Sequence, residues 1–398
     1  MKRSLFMKGL QWLVMFTLIS FCSHAWAEVL YVAADARSGG DGRSWQTAFR
    51  TIGSAIRIAS VTNTKWPEIW VKRGTYRLGS QLRVTEPVKI LGGFNGNETN
   101  SSQRNYWGWS PTIIDGGLAT RCLHITSPCV IDGFRIRNGY SPYSVGGGIY
   151  INGSLPGNVT AYIQNCLIQN NNARTGGGVY LYRSNSYFKN CYFYENESEG
   201  GGAMYHRYSS PTIEKCIFRG NISFGGGAIM GYHRHPNDQT PKITNCLFYG
   251  NQSYGYGGAI SHNQVWPTIT NCTFTQNTAN YPGGAYYGAN SEGPRIRNSI
   301  MWGNWPDELD VSSGSSRLYV SFSNIEGGWT GSGSGNIDVD PSFRGTSDFH
   351  LSEGSACIDA GSGGYPYDDI VGTPRPLDGD EDGVAMSDMG AYEYIPVP

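Results

Sequence analysis

A six-residue pattern returns seven times between residues 131 and 304: a small residue, a largely apolar pair, two variable residues, then Asn. The copies begin at Gly133, Cys166, Cys191, Cys216, Cys246, Cys272 and Ser299 and end at Asn138, Asn171, Asn196, Asn221, Asn251, Asn277 and Asn304, in steps of 33, 25, 25, 30, 26 and 27 residues. Glycine runs at 146–148, 176–178, 200–202, 225–227, 257–258 and 283–284 lie between them, each opening an apolar segment. Two markers alternating at this period indicate a stacked repeat.

Within each repeat the apolar stretches are short, rich in Ile, Val, Tyr and Phe, and bounded by Gly, Asn, Ser and Pro, so they read as strands. At about 3.3 Å per strand residue, some 25 residues make one coil of three short strands and three turns, and equivalent positions of successive coils stack about 4.8 Å apart. The expected fold is all-β, a right-handed parallel β-helix. An inward Asn then passes amide hydrogen bonds from coil to coil, and the glycines supply positive φ at a sharp corner. The sequons at Asn196, Asn221 and Asn251 coincide with these ladder positions and read as stacking geometry. Cys166, Cys191, Cys216, Cys246 and Cys272 share one slot and are expected buried and reduced, since no C-x-x-C pair accompanies them. Cys122 and Cys129 flank a turn at Ser127-Pro128, where an oxidising compartment permits a bridge.

Residues 1–27 carry Lys2, Arg3 and Lys8, an apolar run to Phe21 and Ala25-Trp26-Ala27, the layout of a cleaved export signal. A secreted or cell-surface location follows as an expectation. No later stretch has the 18 or so apolar residues of a membrane-spanning helix. Thirty basic against 31 acidic side chains leave no electrostatic footprint for nucleic acid. Because a solenoid grows by stacking, 398 residues need not split into globular domains. The expected layout is an N-terminal cap and first coils over 28–110, repeats over 111–335, a closing segment over 336–398, and a monomer. The cap contains a helix over 45–59 with Ala48, Phe49, Ile52, Ala55, Ile56 and Ala59 on one face, able to cover the open end of the first coil.

Several segments carry a family resemblance. The runs Ser44-Trp45-Gln46-Thr47-Ala48-Phe49, Ile69-Trp70-Val71-Lys72-Arg73-Gly74-Thr75-Tyr76 and Gly92-Gly93-Phe94-Asn95-Gly96-Asn97-Glu98-Thr99 resemble the first coils of bacterial right-handed β-helix (pectin-lyase-like) surface proteins. The Gly-Gly-Ala/Ile and Phe-x-x-Asn units resemble polymorphic outer membrane protein repeats. Asn336-Ile337-Asp338-Val339-Asp340-Pro341, Phe349-His350-Leu351, Ser355-Ala356-Cys357-Ile358-Asp359-Ala360-Gly361 and Asp388-Met389-Gly390-Ala391-Tyr392-Glu393-Tyr394 look like a choice-of-anchor Q domain. The resemblance implies a secreted or surface-displayed solenoid and assigns no reaction.

Two places carry chemistry. Rings and cations follow the glycine corners of consecutive repeats: Tyr180, Tyr182 and Arg183; Tyr205, His206 and Arg207; Tyr232, His233 and Arg234; then His262. Stacked at coil spacing they form a stripe in which rings stack on sugars and cations pair with acidic groups, so the expected partner is a polysaccharide or other cell-surface polymer, bound without catalysis. A tyrosine-rich wall with only a structural role is the alternative. So is a polysaccharide lyase, in which Arg207 or Arg234 serves as base or neutraliser and Tyr205 or His233 as acid. The second place is Asp378-Gly379-Asp380-Glu381-Asp382-Gly383, which sets Asp378, Asp380 and Asp382 at positions 1, 3 and 5 and Gly at 6, as in a Ca²⁺ loop. Position 12 is Met389, so Asp388 is the expected source of the missing carboxylate, with a solvated acidic turn as the alternative.

Overall fold

The computed structural model describes residues 29–62, 64–105, 112–154, 159–233, 240–290, 292–312, 317–363 and 366–396. The short strands stack as expected into a parallel β-helix, with four sheets rather than three. One coil illustrates the path: Ala161–Gln164 in sheet 1, Leu167–Gln169 in sheet 2, Asn172–Thr175 in sheet 3 and Val179–Tyr182 in sheet 4. Among the described residues these sheets hold eleven, ten, six and nine strands, and each strand pairs in parallel with its counterparts in the neighbouring coils. Inside, Phe193, Phe218, Phe248 and Phe274 stack with centroids 4.5–4.6 Å apart and rings within 3° of parallel.

The corners explain the two sequence markers. Gly146, Gly176, Gly201, Gly226, Gly257 and Gly283 each sit three residues before a sheet 4 strand with φ between +61° and +84°. A Cβ on Gly226 would fall 2.0 Å from the Ile229 carbonyl oxygen, so neither the torsion nor the space admits a side chain. Asn171, Asn196, Asn221, Asn251, Asn277 and Asn304 form the buried ladder. Asn196, for example, donates from its backbone N–H (3.1 Å) and its amide (3.0 Å) to Asn221 Oδ1, and from the same amide to the Ile168 carbonyl (2.9 Å).

The first copy stands one residue out of register. Asn138 occupies the left-handed corner that Asn170 fills one coil later, and its amide donates to Asp115. The rung itself is Gly139, whose N–H donates to Asn171 Oδ1 at 2.8 Å. At the far end the rung is Glu308, whose carboxyl oxygens accept from the N–H and amide of Asn304. Cys166, Cys191, Cys216, Cys246 and Cys272 line one internal column, buried and free. Cys122 and Cys129 are also free, so the bridge allowed by the sequence is not formed.

Both ends differ from expectation. The helix, α1, spans only Ile52–Ala59 and is capped by Thr51, whose hydroxyl accepts from the Ser54 N–H. Ala48 and Phe49 precede it in extended chain, because Phe49 bonds back to Tyr31 and Ala33 beside the first strand, Val29–Val32. The closing segment does more than cover the end. After Asn324 bridges Ile337, the chain returns along the outside of sheet 2, where Phe343, Phe349, Leu351, Ile370, Met389 and Ala391 bury the outward Ile217, Leu247, Tyr249 and Ile300. Lys215 to Asp368 (2.6 Å) and Asn271 to the Asp388 carbonyl (3.0 Å) fasten it to separate coils.

Candidate functional site

Alternation along sheet 4 divides the expected stripe into an inner and an outer set. Val179–Tyr182, Met204–Arg207, Ile229–Tyr232 and Ile260–Asn263 pair in register, so first and third residues point inward and second and fourth outward. His206 and His262 occupy third positions. With His233 just beyond its strand, they lie inside the solenoid at 1%, 0% and 3% exposure. The expectation that these histidines meet a ligand on the wall is therefore wrong. His206 Nδ1 donates to the Ser209 carbonyl (3.0 Å), and His233 Nε2 to the same oxygen (2.6 Å). That leaves His206 Nε2 as the acceptor for His262 Nε2 at 3.1 Å. Burial, with repulsion from neighbouring rings, pushes His206 down to about 3 and His262 well below its usual range, so this pair is neutral. Room for it comes from Gly231, where a Cβ would lie 2.3 Å from His206 Nε2. Arg234 lies outside the described residues.

The tyrosines and arginines share the outer face. One row runs Arg83, His124, Tyr150, Tyr180, Tyr205 and Met230 through successive coils. His124 stacks on Tyr150 at 4.8 Å, Tyr150 meets Tyr180 edge-on at 5.6 Å, and Tyr180 stacks on Tyr205 at 5.3 Å. A second row holds Asn152, Tyr182, Arg207, Tyr232 and Asn263. Arg183 and Tyr208 follow it at a positive-φ turn. The Arg183 guanidinium sits 5.4 Å from the Tyr182 ring, and that of Arg207 sits 5.1 Å from Tyr208 and 6.0 Å from Tyr232.

The electrostatics of this wall are simple. Burial raises Tyr180 to about 12 and raises Tyr205 as well, so both hydroxyls keep their protons at neutral pH. Hydrogen bonding to Tyr208 raises Arg207, which stays cationic, and no carboxylate pairs with it among the described residues. Of the four lyase candidates, Tyr205 and Arg207 are together outside, His233 is inside and Arg234 is beyond description. His124, unforeseen from the sequence, stands in the outer row, but burial and the adjacent Arg121 and Arg83 hold it down to about 4. Because these rings stack on one another and Tyr180 is only 7% exposed, the wall offers ring edges, hydroxyl donors and a fixed cation. Tyr150 was legible: it follows its glycine run at the same offset as Tyr180.

The acidic segment regroups too. Asp378 and Asp380 converge with Asp359, one ligand oxygen of each lying within 4.8 Å of the others. Asp382 turns its carboxylate to the Val384 N–H at 2.8 Å. Asp388 is buried elsewhere, accepting from the backbone of Asp359 and Tyr394, and burial together with Glu393 raises it to about 8. A buried, backbone-bonded carboxylate at that position cannot complete the loop expected from the sequence.

Comparison with known proteins adds the hand of the coil. The family described as right handed beta helix region matches residues 121–301. No curated protein matches the chain. Among solved structures, the deglycosylated pectin methylesterase from Aspergillus niger is similar over 78% of this chain and 85% of that one, at 14% identity and a TM-score of 0.38. A likeness of that size assigns no chemistry.

Proposed function

We propose that the outer face of sheet 4 binds extended polysaccharide without cleaving it, in a protein exported to the cell surface or beyond. The observation that supports this most is the outward row of rings repeating at coil spacing beside Arg207, a cation with no carboxylate partner among the described residues. Ring edges and hydroxyls repeating at that spacing meet successive sugars, and a guanidinium without a carboxylate partner takes a carboxylate or sulfate. Export rests on residues 1–27, which lie outside the described residues, and on the resemblance to polymorphic outer membrane protein repeats and choice-of-anchor Q domains. Elimination requires a base near the sugar C5 proton. The wall's hydroxyls are protonated and its histidine is a weak base, which favours a binder over a lyase.

A glycan array with the native chain and a Tyr205→Ala/Arg207→Ala variant tests the reading. Specific signals that the variant loses support it, whereas signals unchanged by the variant leave only a structural solenoid. Unsaturated product that disappears in Arg207→Ala establishes a lyase instead. We also propose that Ca²⁺ binds the same chain at Asp359, Asp378 and Asp380. Its support is a hard, all-oxygen donor set in which Asp378 Oδ1 is buried without a hydrogen-bond partner.

A further inference from the structure

Sheet 3 begins later than the other sheets, and its absence from the first coils opens a cleft. The connection 78–81 takes the chain from the sheet 2 strand Gly74–Arg77 directly to Leu82–Val84 of sheet 4. Residues 116–122 do the same between Thr112–Asp115 and Leu123–Ile125, whereas sheet 3 starts only at Tyr140–Val145. The apolar face of α1 packs on the end of this coil through Ile52, Ala55 and Ile56, beside Leu82 and Val84. Helix, connection and the free edge at Tyr140 and Ser141 enclose a hollow of about 1100 Å³.

Five arginines line it, Arg50, Arg57, Arg77, Arg83 and Arg121, and no Asp, Glu or Lys does. None of the five makes an ion pair among the described residues. The first four are exposed. Arg121 is fixed by neutral partners, Gln81 Oε1 at 2.7 Å and the Gly146 carbonyl at 2.8 Å. This concentration of positive charge arises in a chain whose formal net charge is −1. Like charges gathered without a counter-charge repel one another, and a concave wall focuses their field on whatever enters. The cleft also opens onto the wall: Arg83 stands in register with His124, and the Arg121 guanidinium lies 5.2 Å from the Tyr150 ring.

We propose that this cleft is a second binding site, one that takes the oxyanion groups of a charged glycan whose continuing chain runs onto the sheet 4 wall. Guanidinium forks match carboxylate and sulfate equally, so the shared chemistry is an oxyanion borne on a sugar. The glycan part rests on the reading of the wall, while anion capture rests on the arginines alone.

The test is calorimetric titration of the full chain with short carboxylated, sulfated and neutral oligosaccharides of equal length. The variants are Arg57→Ala/Arg77→Ala in the cleft, Tyr205→Ala/Arg207→Ala on the wall, and the exposed Arg317→Ala as a charge control. Arg57 and Arg77 are exposed and unpaired, so the fold should tolerate their loss. We expect one or both charged oligosaccharides to bind, the neutral one not, and affinity to fall at least roughly tenfold in the cleft variant and to be unchanged in the charge control, whether or not the wall variant also weakens it. The better of the two charged ligands identifies the anion. Loss in the wall variant with binding kept in the cleft variant overturns the cleft and leaves the wall reading intact. Equal loss in Arg317→Ala, or equally tight binding of a single-stranded oligonucleotide, overturns it as a glycan site.

Discussion

Glu308 shows how one residue can set a condition on the whole ladder. It ends the column of stacked amides by accepting from Asn304, and burial, with Glu326 nearby, raises it from 4.5 to about 8. A carboxyl whose folded pKa is raised stabilises the fold in its protonated form. Its contribution is complete below about pH 4.5 and is lost as pH rises toward 8. Unfolding free energies from urea titrations at pH 5 and pH 8 should therefore fall with pH more steeply in the native chain than in Glu308→Gln, by roughly 1–4 kcal/mol. Parallel pH profiles would show that Glu308 does not titrate in this range. The sequence did not single it out, because Glu308 lies four residues beyond the last Asn marker and only the return of the chain brings it under Asn304. The wall residues were easier to find, since each follows a glycine corner at a fixed offset. Their direction was not: Tyr205, His206 and Arg207 are adjacent in sequence, and strand phase alone sends His206 inward.

At the scale of elements, what repeats was readable and what occurs once was not. Corners, amide rungs and the cysteine column each recur in five or more coils, so their geometry imprints a period on the sequence. Such averaging misses single events. The first copy is shifted because its small residue, Gly133, fills the left-handed corner that Asn165 takes one coil later, while Phe134 aligns with the cysteine slot. Helix α1 is eight residues long because Phe49 satisfies its backbone beside Val29–Val32, a pairing that helical spacing does not reveal. The acidic loop failed similarly: Asp359, from 19 residues upstream of Asp378, replaces the expected Asp382 and Asp388. If Ca²⁺ binds those three carboxylates in the folded state, excess Ca²⁺ raises the melting temperature over that in chelator, and Asp359→Asn abolishes the difference. Identical melting in both media would discard the ion.

A solenoid is held together mainly by contacts between adjacent coils, which makes its coils nearly independent in stability. The segment after Asn336 changes that here, because one stretch of chain touches several consecutive coils at once, including coils that are not direct neighbours. Phe349 packs with Tyr249 at 5.1 Å, Ala391 donates to Thr273, and Ser362 bonds to Asn298. Within the segment the fully buried Arg375–Glu393 pair fixes its own fold. Sequence could not reveal this role, since outward apolar residues such as Leu247 and Ile300 look like any other strand residue until something is seen to cover them. The segment should therefore couple coils that a bare solenoid leaves separate. Phe349→Ala, at a site only 3% exposed, should lower stability by roughly 3–5 kcal/mol. It should also speed amide exchange together in the coils of Leu247, Thr273 and Ile300, because the lost contact loosens a strap that spans all three. Faster exchange confined to 336–396 would mean that the segment only rests on the solenoid and that the coils hold without it.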